Sequence, residues 1–449
     1  MSLFKRKEEK EKSYTRYSGT GNVDVHAWKG VVEKLSTPED RPDVLDDILV
    51  LDASYANFSG IVAASFFAEF GAEVIKIEPA EGDPCRTMTP YGRNVKGVGI
   101  PFIMEGRNKR YMTLDIQNSA EDRDRFAKLA EKATVVIESF PAGAMDSWGI
   151  GYRQLSEKNP GLIYIAITPY GSYTKKGEEC RFMPDTDITT QTGSGLSAQI
   201  GDLPSEPEPY NWPLKAGMWA GWYVSGLGAA LGGTVALMYR QQTGEGQMID
   251  IAGMDSYSCM TGFPATIGFT WENSRPRIGV LDFILYPYGH WKSKDGLVAI
   301  AAPRDQDFRA LLKIIGRWDL EDDYRFQSDR IPDIIEQAMA LHREIEKETL
   351  KHDGDELMVK ALSYALKAAK SKWRGGGVPI VMRVMTPETA REQKQWEVRK
   401  SFKEVTDETL GKFVVTSGFV KMSESPPKIK WVTCDIGKDN DYVTKKYLS

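Results

Sequence analysis

The chain has 449 residues, of which 41% are hydrophobic and 27% are charged, and its net charge is -5 at pH 7. This length exceeds one average core, so we expect at least two substructures in a globular protein. The acidic balance argues against nucleic-acid binding, which needs a strong excess of basic residues. Four widely separated cysteines and four histidines argue against a disulfide framework and a metal site, and they fit a reducing cytoplasm.

The N-terminus, MSLFKRKEEKEK, is highly charged and lacks an apolar segment, so its pattern is not that of a secretory signal. We interpret residues 1–45 as a polar N-terminal extension that begins with a solvated tail. Its sequence does not indicate a role.

A strand–helix–strand pattern follows this extension. ILVLD (48–52) predicts a buried strand, the next apolar stretch has helical spacing, and EVIKIE (73–78) predicts a second strand. The pattern recurs, with helices predicted over 119–132 and 145–158 and strands over 134–138 and 162–168. Alternation of this kind predicts an α/β fold in which helices cover both faces of a parallel sheet.

Residues 216–239 carry no charge over a span long enough to cross a bilayer. However, the segment contains six glycines and has no second apolar span beside it. Small residues suit a helix that packs tightly inside a soluble protein. We therefore predict a buried core helix here and no membrane segment.

The later part of the chain has a different pattern. It predicts a strand over 297–301, an amphipathic helix over 304–316, a charged and largely helical stretch over 318–372 and a strand near 375–384. We therefore expect a second, smaller α+β domain over residues 250–385 in the middle of the chain.

Two polar motifs have both a structural and a functional interpretation. GRNKR (106–110) is either a solvated basic loop or a clamp for phosphates. PDTDITTQTGSG (184–195) contains an aspartate that either caps a helix or serves a site. No GxGxxG motif follows the first strand and no GxxxxGK[ST] motif is present, so these motifs do not support dinucleotide or P-loop phosphate binding.

Taken in order, a set of segments resembles the family III CoA-transferases from about residue 46 to the C-terminus. The set consists of LD (51–52), GAEVIKIE (71–78), GDPCR (82–86), RNKR (107–110), ESFPAG (138–143), GIGY (149–152), NPGLIY (159–164), Asp187 and TGEGQMID (243–250). The resemblance implies a large Rossmann-like, CoA-binding domain built from both chain ends, here residues 46–245 and 390–449. It also implies two subunits interlocked like links of a chain. It also implies that no cofactor is permanently bound and that a CoA thioester is a substrate.

The resemblance also implies roles for individual residues. Asp187 matches the family nucleophile, with Gln191 and Gly195 at the family spacing, whereas Asp185 lacks this match and is the lesser candidate. Other matching positions are expected to contact CoA or the acyl group, namely Arg107, Lys109, Arg110, Asn57 and Glu138. An ionised Asp187 would attack the thioester and form an anhydride and then an aspartyl-CoA thioester.

The chain departs from the family pattern at KAGMWAGW (215–222) and in nearby loops. Trp212, Trp219, Trp222 and Tyr223 fall in this region and are either core residues or the lining of a pocket for a bulky acid. The second interpretation makes the benzylsuccinate CoA-transferases the branch of the family to compare. A resemblance to that branch implies succinyl-CoA as donor and an aromatic acceptor such as benzylsuccinate.

Two other functions remain open. An α-methylacyl-CoA racemase-like enzyme would use a histidine opposite an aspartate, but no histidine lies between His26 and His290. The chain could also be a non-catalytic subunit of a heteromeric CoA-transferase, rather than an active homodimer. Its retained Asp187 argues against that interpretation and its altered loops argue for it.

Overall fold

A computed structural model describes residues 29–36, 39–209, 211–272, 277–282, 285–323, 335–370, 377–408, 410–416, 418–432 and 435–449. These residues form two compact units. Where described, the larger unit comprises residues 31–199, 214–275 and 394–449, and the smaller comprises 29–30, 200–213 and 276–393. The domain boundaries inferred from the sequence remain predictions, and most of the N-terminal extension lies outside the described residues.

The strands are, in chain order, β1 (Leu49–Ala53), β2 (Glu73–Glu78), β3 (Asn94–Val95), β4 (Val98–Gly99), β5 (Lys109–Thr113), β6 (Val135–Glu138), β7 (Ile163–Thr168), β8 (Gln247–Ala252), β9 (Tyr288–Ser293), β10 (Gly296–Ala301), β11 (Ile380–Arg383), β12 (Phe402–Asp407) and β13 (Gly411–Thr416).

The helices are, in chain order, α1 (Lys29–Ser36), α2 (Phe58–Glu69), α3 (Ile100–Glu105), α4 (Ala120–Ala130), α5 (Ala144–Ser147), α6 (Tyr152–Lys158), α7 (Lys175–Glu179), α8 (Asp187–Gly193), α9 (Ala220–Thr243), α10 (Gly253–Ser258), α11 (Phe263–Trp271), α12 (Asp305–Ile315), α13 (Ile335–Thr349), α14 (Gly354–Lys370), α15 (Pro387–Arg391), α16 (Lys394–Val398) and α17 (Asn440–Val443).

A six-stranded sheet forms the centre of the larger unit, in the order β5-β2-β1-β6-β7-β8, and every adjacent pair is parallel. The predicted α/β class with a parallel sheet is therefore confirmed. The strand order reverses direction between β1 and β6. In open α/β sheets, ligands bind outside the carboxyl ends of the strands at such a switch point. This topology brings the loops that follow β1 and β6 to one edge of the sheet.

Helix α2 crosses from β1 to β2 and is buried along almost its whole length. Its first turn is capped by Asn57, whose side chain accepts a hydrogen bond from the Ser59 amide at 2.8 Å. Helix α9 packs against α2. A Cβ at Gly226 would lie 2.6 Å from the Ser59 carbonyl oxygen, so only glycine permits this close approach.

Helix α9 corrects one expectation from the sequence. The predicted core helix is buried on the face that carries Gly226, Ala229, Ala230 and Gly233. Its other face exposes a row of large apolar side chains, namely Leu227, Leu231, Val235, Met238 and Tyr239. The mean hydropathy of α9 is high because both of its faces are apolar. The sequence alone therefore did not distinguish the buried face from the exposed one. Within the described residues, no helix combines the length and apolarity needed to cross a membrane.

The helix predicted over 145–158 is two short helices, α5 and α6. Gly149 has φ 78° between them, a left-handed conformation that ends α5. In the smaller unit, β9, β10 and β11 form an antiparallel sheet, and α12, α13 and α14 cover a core that includes Trp291 and Phe308. The predicted strand over 297–301 and helix over 304–316 correspond to β10 and α12.

Candidate active site

Asp187 is the first residue of α8, but it does not cap this helix. The cap is Thr186, whose hydroxyl accepts a hydrogen bond from the Thr189 amide at 3.3 Å. The helix-cap interpretation of Asp187 is therefore wrong, because its neighbour fulfils that role. The carboxylate of Asp187 is left for other contacts, and its side chain is only 6% exposed.

Three donors hold the Asp187 carboxylate. The Gly221 amide donates to Oδ1 at 2.8 Å, while Gln191 Nε2 and Lys215 Nζ donate to Oδ2 at 2.9 and 3.3 Å. Gln191 is itself oriented, because its Oε1 accepts from the Ala216 amide at 2.7 Å. The carboxylate is therefore fixed in place by one helix, α8, and by the segment that leads into α9.

Gly221 belongs to this arrangement for a steric reason. A Cβ at this position would lie 3.1 Å from both the carbonyl oxygen and Oδ1 of Asp187, and 3.0 Å from Thr190 Cγ2. These distances are tighter than ordinary contacts. Glycine therefore lets the amide at the start of α9 approach the carboxylate directly.

A second carboxylate, Asp185, lies beside the first. Asn57 Nδ2 donates to its Oδ2 at 2.7 Å, and the Thr190 hydroxyl donates to its Oδ1 at 3.0 Å. Burial raises the pKa of Asp185, the two hydrogen bonds oppose the change, and the neighbouring charge of Asp187 adds to it. Asp185 also lines a cavity of about 230 Å³ with Tyr55, Ser139 and Arg181. The predicted acyl-facing residue Asn57 thus contacts Asp185 directly, and its role toward an acyl group remains a prediction.

Glu138 ends β6, close in the sheet to the loop that contains Asn57. Its Oε2 accepts from the Phe140 amide at 2.7 Å. Burial raises the pKa of Glu138 to about 8, although the Phe140 amide and the Tyr164 hydroxyl favour its ionised form. The Glu138 carboxyl group therefore contacts the Phe140 amide and the Tyr164 hydroxyl. A contact between Glu138 and an acyl group remains a prediction.

The three basic residues predicted to bind CoA are paired with carboxylates. Lys109 is 1% exposed and donates to Asp52 at 3.0 Å and to the Ile61 carbonyl at 2.8 Å. Arg107 pairs with Glu69 and Glu105. Lys109 is buried and Arg107 is only 11% exposed, so a CoA phosphate would have to displace these partners to reach them.

Arg110 differs because its side chain is 28% exposed. It pairs with Asp439 at 2.9 Å and Glu73 at 3.2 Å, and its guanidinium lies 3.9 Å from the centre of the Tyr442 ring. Of the three, Arg110 is the residue that a phosphate could approach from solvent. The predicted CoA contacts of all three remain predictions.

Lys109 belongs to a buried charge network that also supports the site. Lys76 lies 3.7 Å from Asp52 and 2.8 Å from Asp83, and Asp83 accepts from the Ala56 amide at 3.3 Å. Burial would raise the pKa of Asp52, but Lys76 and Lys109 outweigh it and hold the pKa below its ordinary value. The network therefore anchors the loop that ends at Asn57.

The tryptophan-rich segment contains residues that the sequence interpretation missed. Lys215 and Gly221 both contact Asp187, yet the segment KAGMWAGW stood out only as a departure from the family pattern. Trp219 packs edge-on to Phe58 at 4.8 Å and to Trp222 at 5.4 Å, and Tyr223 also packs on Phe58. Trp212 lies in the smaller unit and is 57% exposed.

The described residues offer few side chains for a histidine base or a metal site. His290, His342 and His352 all belong to the smaller unit, and His26 lies outside the described residues. In the part of the chain that the structure covers, no three His, Cys, Asp or Glu side chains group together as metal ligands.

A family model described as CoA-transferase family III matches residues 45–440. The chain therefore belongs to this family, and the protein is a CoA-transferase. This confirms the resemblance that the ordered segments indicated, and it identifies an acyl-CoA as a substrate.

The chain is similar to a succinyl-CoA:mesaconate CoA-transferase of Haloarcula hispanica, at 33% identity over 70% of this chain and 77% of that protein. It is 27% identical to a succinyl-CoA–D-citramalate CoA-transferase of Chloroflexus aurantiacus, over 89% of this chain and 92% of that protein. The alpha subunit of a succinyl-CoA–L-malate CoA-transferase from the same organism is 35% identical, over 64% of this chain and 65% of that one.

The fold has solved counterparts. A CAIB/BAIF family protein from Brucella suis superposes with a TM-score of 0.74 and 25% identity, over 90% of this chain and 99% of the other. Rv3272 of Mycobacterium tuberculosis has the same fold, with a TM-score of 0.72 and 21% identity, over 90% of this chain and 99% of the other.

Proposed function

We propose that this protein moves CoA from succinyl-CoA to a second organic acid through a covalent intermediate on Asp187. The observation that carries the proposal is the placement of the Asp187 carboxylate, which is nearly buried yet held by three donors at the start of α8. A carboxylate needs no general base to act as a nucleophile, because it is already an anion.

In the first half of the reaction, a carboxylate oxygen of Asp187 attacks the thioester carbonyl carbon. The carbon–sulfur bond breaks, CoA leaves as a thiolate, and Asp187 becomes part of a mixed anhydride. The thiolate then attacks the Asp187 carbonyl carbon and expels the donor acid as a carboxylate. The product is an aspartyl-CoA thioester, and the second half of the reaction repeats these steps in reverse with the acceptor acid.

Each attack passes through a tetrahedral oxyanion that needs a donor already in place. The Gly221 amide donates to Asp187 Oδ1 at 2.8 Å and supports such a role for the steps at the aspartyl carbon. Gln191, oriented by the Ala216 amide, supports the same role at Oδ2. Burial of the carboxylate supports the exclusion of water, which would otherwise hydrolyse the anhydride.

Replacement of the nucleophile tests this proposal. Asp187→Ala should abolish CoA transfer, and hydroxylamine added with acyl-CoA should convert Asp187 of the unaltered protein to a hydroxamate that peptide mass spectrometry detects. Asp441→Ala is a matched control, because Asp441 also occupies the first turn of a helix but is exposed. Normal transfer by the Asp187→Ala variant would exclude the covalent route.

The acceptor is proposed to be a succinate-like dicarboxylic acid. Mesaconate, citramalate and malate, which the names of the similar proteins contain, are all dicarboxylic acids. Benzylsuccinate has the same skeleton with an added ring. The half-buried Trp219, next to Phe58 and four residues from Lys215, supports a pocket wall that would accept such a ring.

Activity measurements with a panel of acids would distinguish a small dicarboxylic acceptor from an aromatic one. With succinyl-CoA as donor, kcat/KM would be measured for L-malate, D-citramalate, mesaconate and benzylsuccinate. Trp219→Ala should lower kcat/KM for benzylsuccinate more than for malate, and Trp396→Ala is a control at a tryptophan 40% exposed. Equal losses for both acids would remove the aromatic pocket from the proposal.

We also propose that the active protein pairs with a second subunit, either an identical chain or a related one. The exposed apolar row on α9 supports such pairing, because a row of this kind gains stability when it is covered. The names of two similar proteins identify them as the alpha and beta subunits of a succinyl-CoA–L-malate CoA-transferase. Light scattering of the purified chain, followed by an activity assay with and without any co-purifying relative, distinguishes a homodimer from a heteromer.

A further inference from the structure

Lys215 is an ammonium group that the reaction scheme above does not use. Its Nζ lies 3.3 Å from Asp187 Oδ2 and also donates to the Ala216 and Met218 carbonyl oxygens at 3.0 and 3.3 Å. Its side chain is 41% exposed, whereas that of Asp187 is 6% exposed. The ammonium therefore lies between solvent and the carboxylate.

The charge of this pair changes during the proposed reaction. In the free enzyme, the positive charge of Lys215 and the negative charge of Asp187 offset each other. When Asp187 forms the anhydride or the thioester, it loses its negative charge, but Lys215 keeps its positive one. The two carbonyl oxygens remain as its partners, and neither neutralises an ammonium group.

We propose that Lys215 is the carboxylate-binding subsite of the reaction, and that it becomes available only when Asp187 is acylated. The acceptor acid is an anion that must bring a carboxylate oxygen to the Asp187 carbonyl carbon. Lys215 lies within hydrogen-bonding distance of the oxygen on that carbon, so it can donate to the acid during this attack. The donor acid leaves through the same position, since the two half-reactions mirror each other.

This subsite sets the order of binding. Before acylation, Asp187 offsets the positive charge of Lys215, and the Asp187 carboxylate repels the anion of the acceptor acid. After acylation, it meets an unpaired cation at the position where it must react. The ligand class is therefore a carboxylate, and the inference rests on the proposed nucleophilic role of Asp187.

Asp187→Asn provides a test that needs no turnover. Asparagine has nearly the shape of aspartate but no charge, so this variant imitates the charge of the acylated enzyme. Succinate binding, measured by calorimetry, should be roughly fivefold tighter in Asp187→Asn than in the unaltered protein, as is typical of a partly exposed ion pair. Adding Lys215→Met should remove this gain, whereas adding Lys215→Arg should retain it.

Two results would overturn the inference. One is equal succinate affinity in the unaltered protein and the Asp187→Asn variant, and the other is a gain that survives Lys215→Met. The arginine variant keeps the test valid if the methionine variant does not fold, because a gain absent from the arginine variant also contradicts a cationic subsite. Failure of the proposed function is separate, since it would show as an absence of CoA on Asp187 after incubation with succinyl-CoA.

Discussion

The protein contains two aspartate–lysine pairs of similar length in very different surroundings. Lys109 and Asp52 are 3.0 Å apart and their side chains are at most 1% exposed. Lys215 and Asp187 are 3.3 Å apart, but the lysine is 41% exposed. The first pair lies under the loop that holds Asn57, and the second lies at the start of α8.

The two ion pairs differ in burial, and burial determines whether a ligand can reach their charges. The buried pair is surrounded by Lys76, Asp83 and the Ile61 carbonyl, so each charge has fixed partners and almost no contact with solvent. The exposed pair has one solvent-facing cation beside a carboxylate that can be modified. The family resemblance implies that Lys109 contacts CoA, and this stays a prediction. The described contacts of Lys109 are with Asp52 and Ile61, whereas Lys215 contacts the candidate nucleophile Asp187.

Breaking the buried pair should have the largest effect. Lys109→Met leaves the buried Asp52 with one lysine, so we expect the free energy of unfolding to fall by about 3 to 5 kcal/mol. Urea denaturation followed by circular dichroism measures this change. Lys215→Met is the matched comparison and should alter stability by less than about 1 kcal/mol, because its charge is partly solvated. Equal losses in both variants would mean that burial does not separate the two pairs.

The next largest effect should come from Glu138, whose ionisation makes the free energy of unfolding depend on pH. Its pKa rises from about 4.5 in the unfolded chain to about 8 in the folded one, so the native state holds a proton that the unfolded state releases. The resulting cost is absent below pH 4.5, grows as pH rises through this window and is complete above pH 8. The carboxyl group therefore destabilises the fold at neutral and alkaline pH.

Glu138→Gln keeps an acceptor for the Phe140 amide but cannot ionise. Relative to the unaltered protein, we expect it to gain roughly 2 to 4 kcal/mol at pH 8 and close to nothing at pH 4.5. Thermal unfolding across this range checks the difference, with Glu131→Gln as a control at an exposed glutamate. A gain that is constant with pH would show that Glu138 is ionised in the folded protein.

Part of the sheet was predictable because strands such as β1 and β7 come from mainly apolar runs, which are separated by stretches of helical spacing. By contrast, β5 has the sequence KRYMT and lacks such a run. The runs 48–52 and 162–168 correspond to β1 and β7, since a strand buried on both faces leaves a clear pattern in the sequence. The exposed face of α9 was not predictable, because a helix that is apolar on both sides has the same composition whether one face or both are buried.

The site was only partly predictable. The spacing of Asp187 and Gln191 is local to one helical turn, and the structure contains the corresponding hydrogen bond. Lys215 and Gly221 reach Asp187 from 28 and 34 positions away in the chain. Contacts over such separations depend on how α9 packs, which no local pattern determines. The contacts of Lys109 with Asp52 and of Arg107 with Glu69 were hidden because they also join distant positions in the chain.

Weakening the exposed pair should have a smaller effect that depends on the attacking nucleophile. An aspartyl-CoA thioester prepared on Lys215→Met should react with succinate roughly fivefold more slowly than the unaltered protein at subsaturating acid. Its reaction with hydroxylamine, which is neutral, should be unchanged. Rapid quench and mass spectrometry follow both reactions, and Lys175→Met serves as the control at an exposed lysine. A general loss of reactivity toward both nucleophiles would instead assign Lys215 to holding Asp187.

Arg110 should give the smallest change, and it tests whether a partly exposed cation can serve both the fold and a ligand. Arg110→Met removes two ion pairs and the contact with Tyr442, all of them partly solvated, so stability should fall by less than about 1 kcal/mol. If CoA phosphate also contacts this residue, KM for succinyl-CoA should rise by about threefold with kcat unchanged, the pattern of lost uniform binding. Arg125→Met is a control, because Arg125 also pairs with an aspartate and is similarly exposed. An unchanged KM would remove Arg110 from the predicted CoA contacts and leave it with its ion pairs to Asp439 and Glu73.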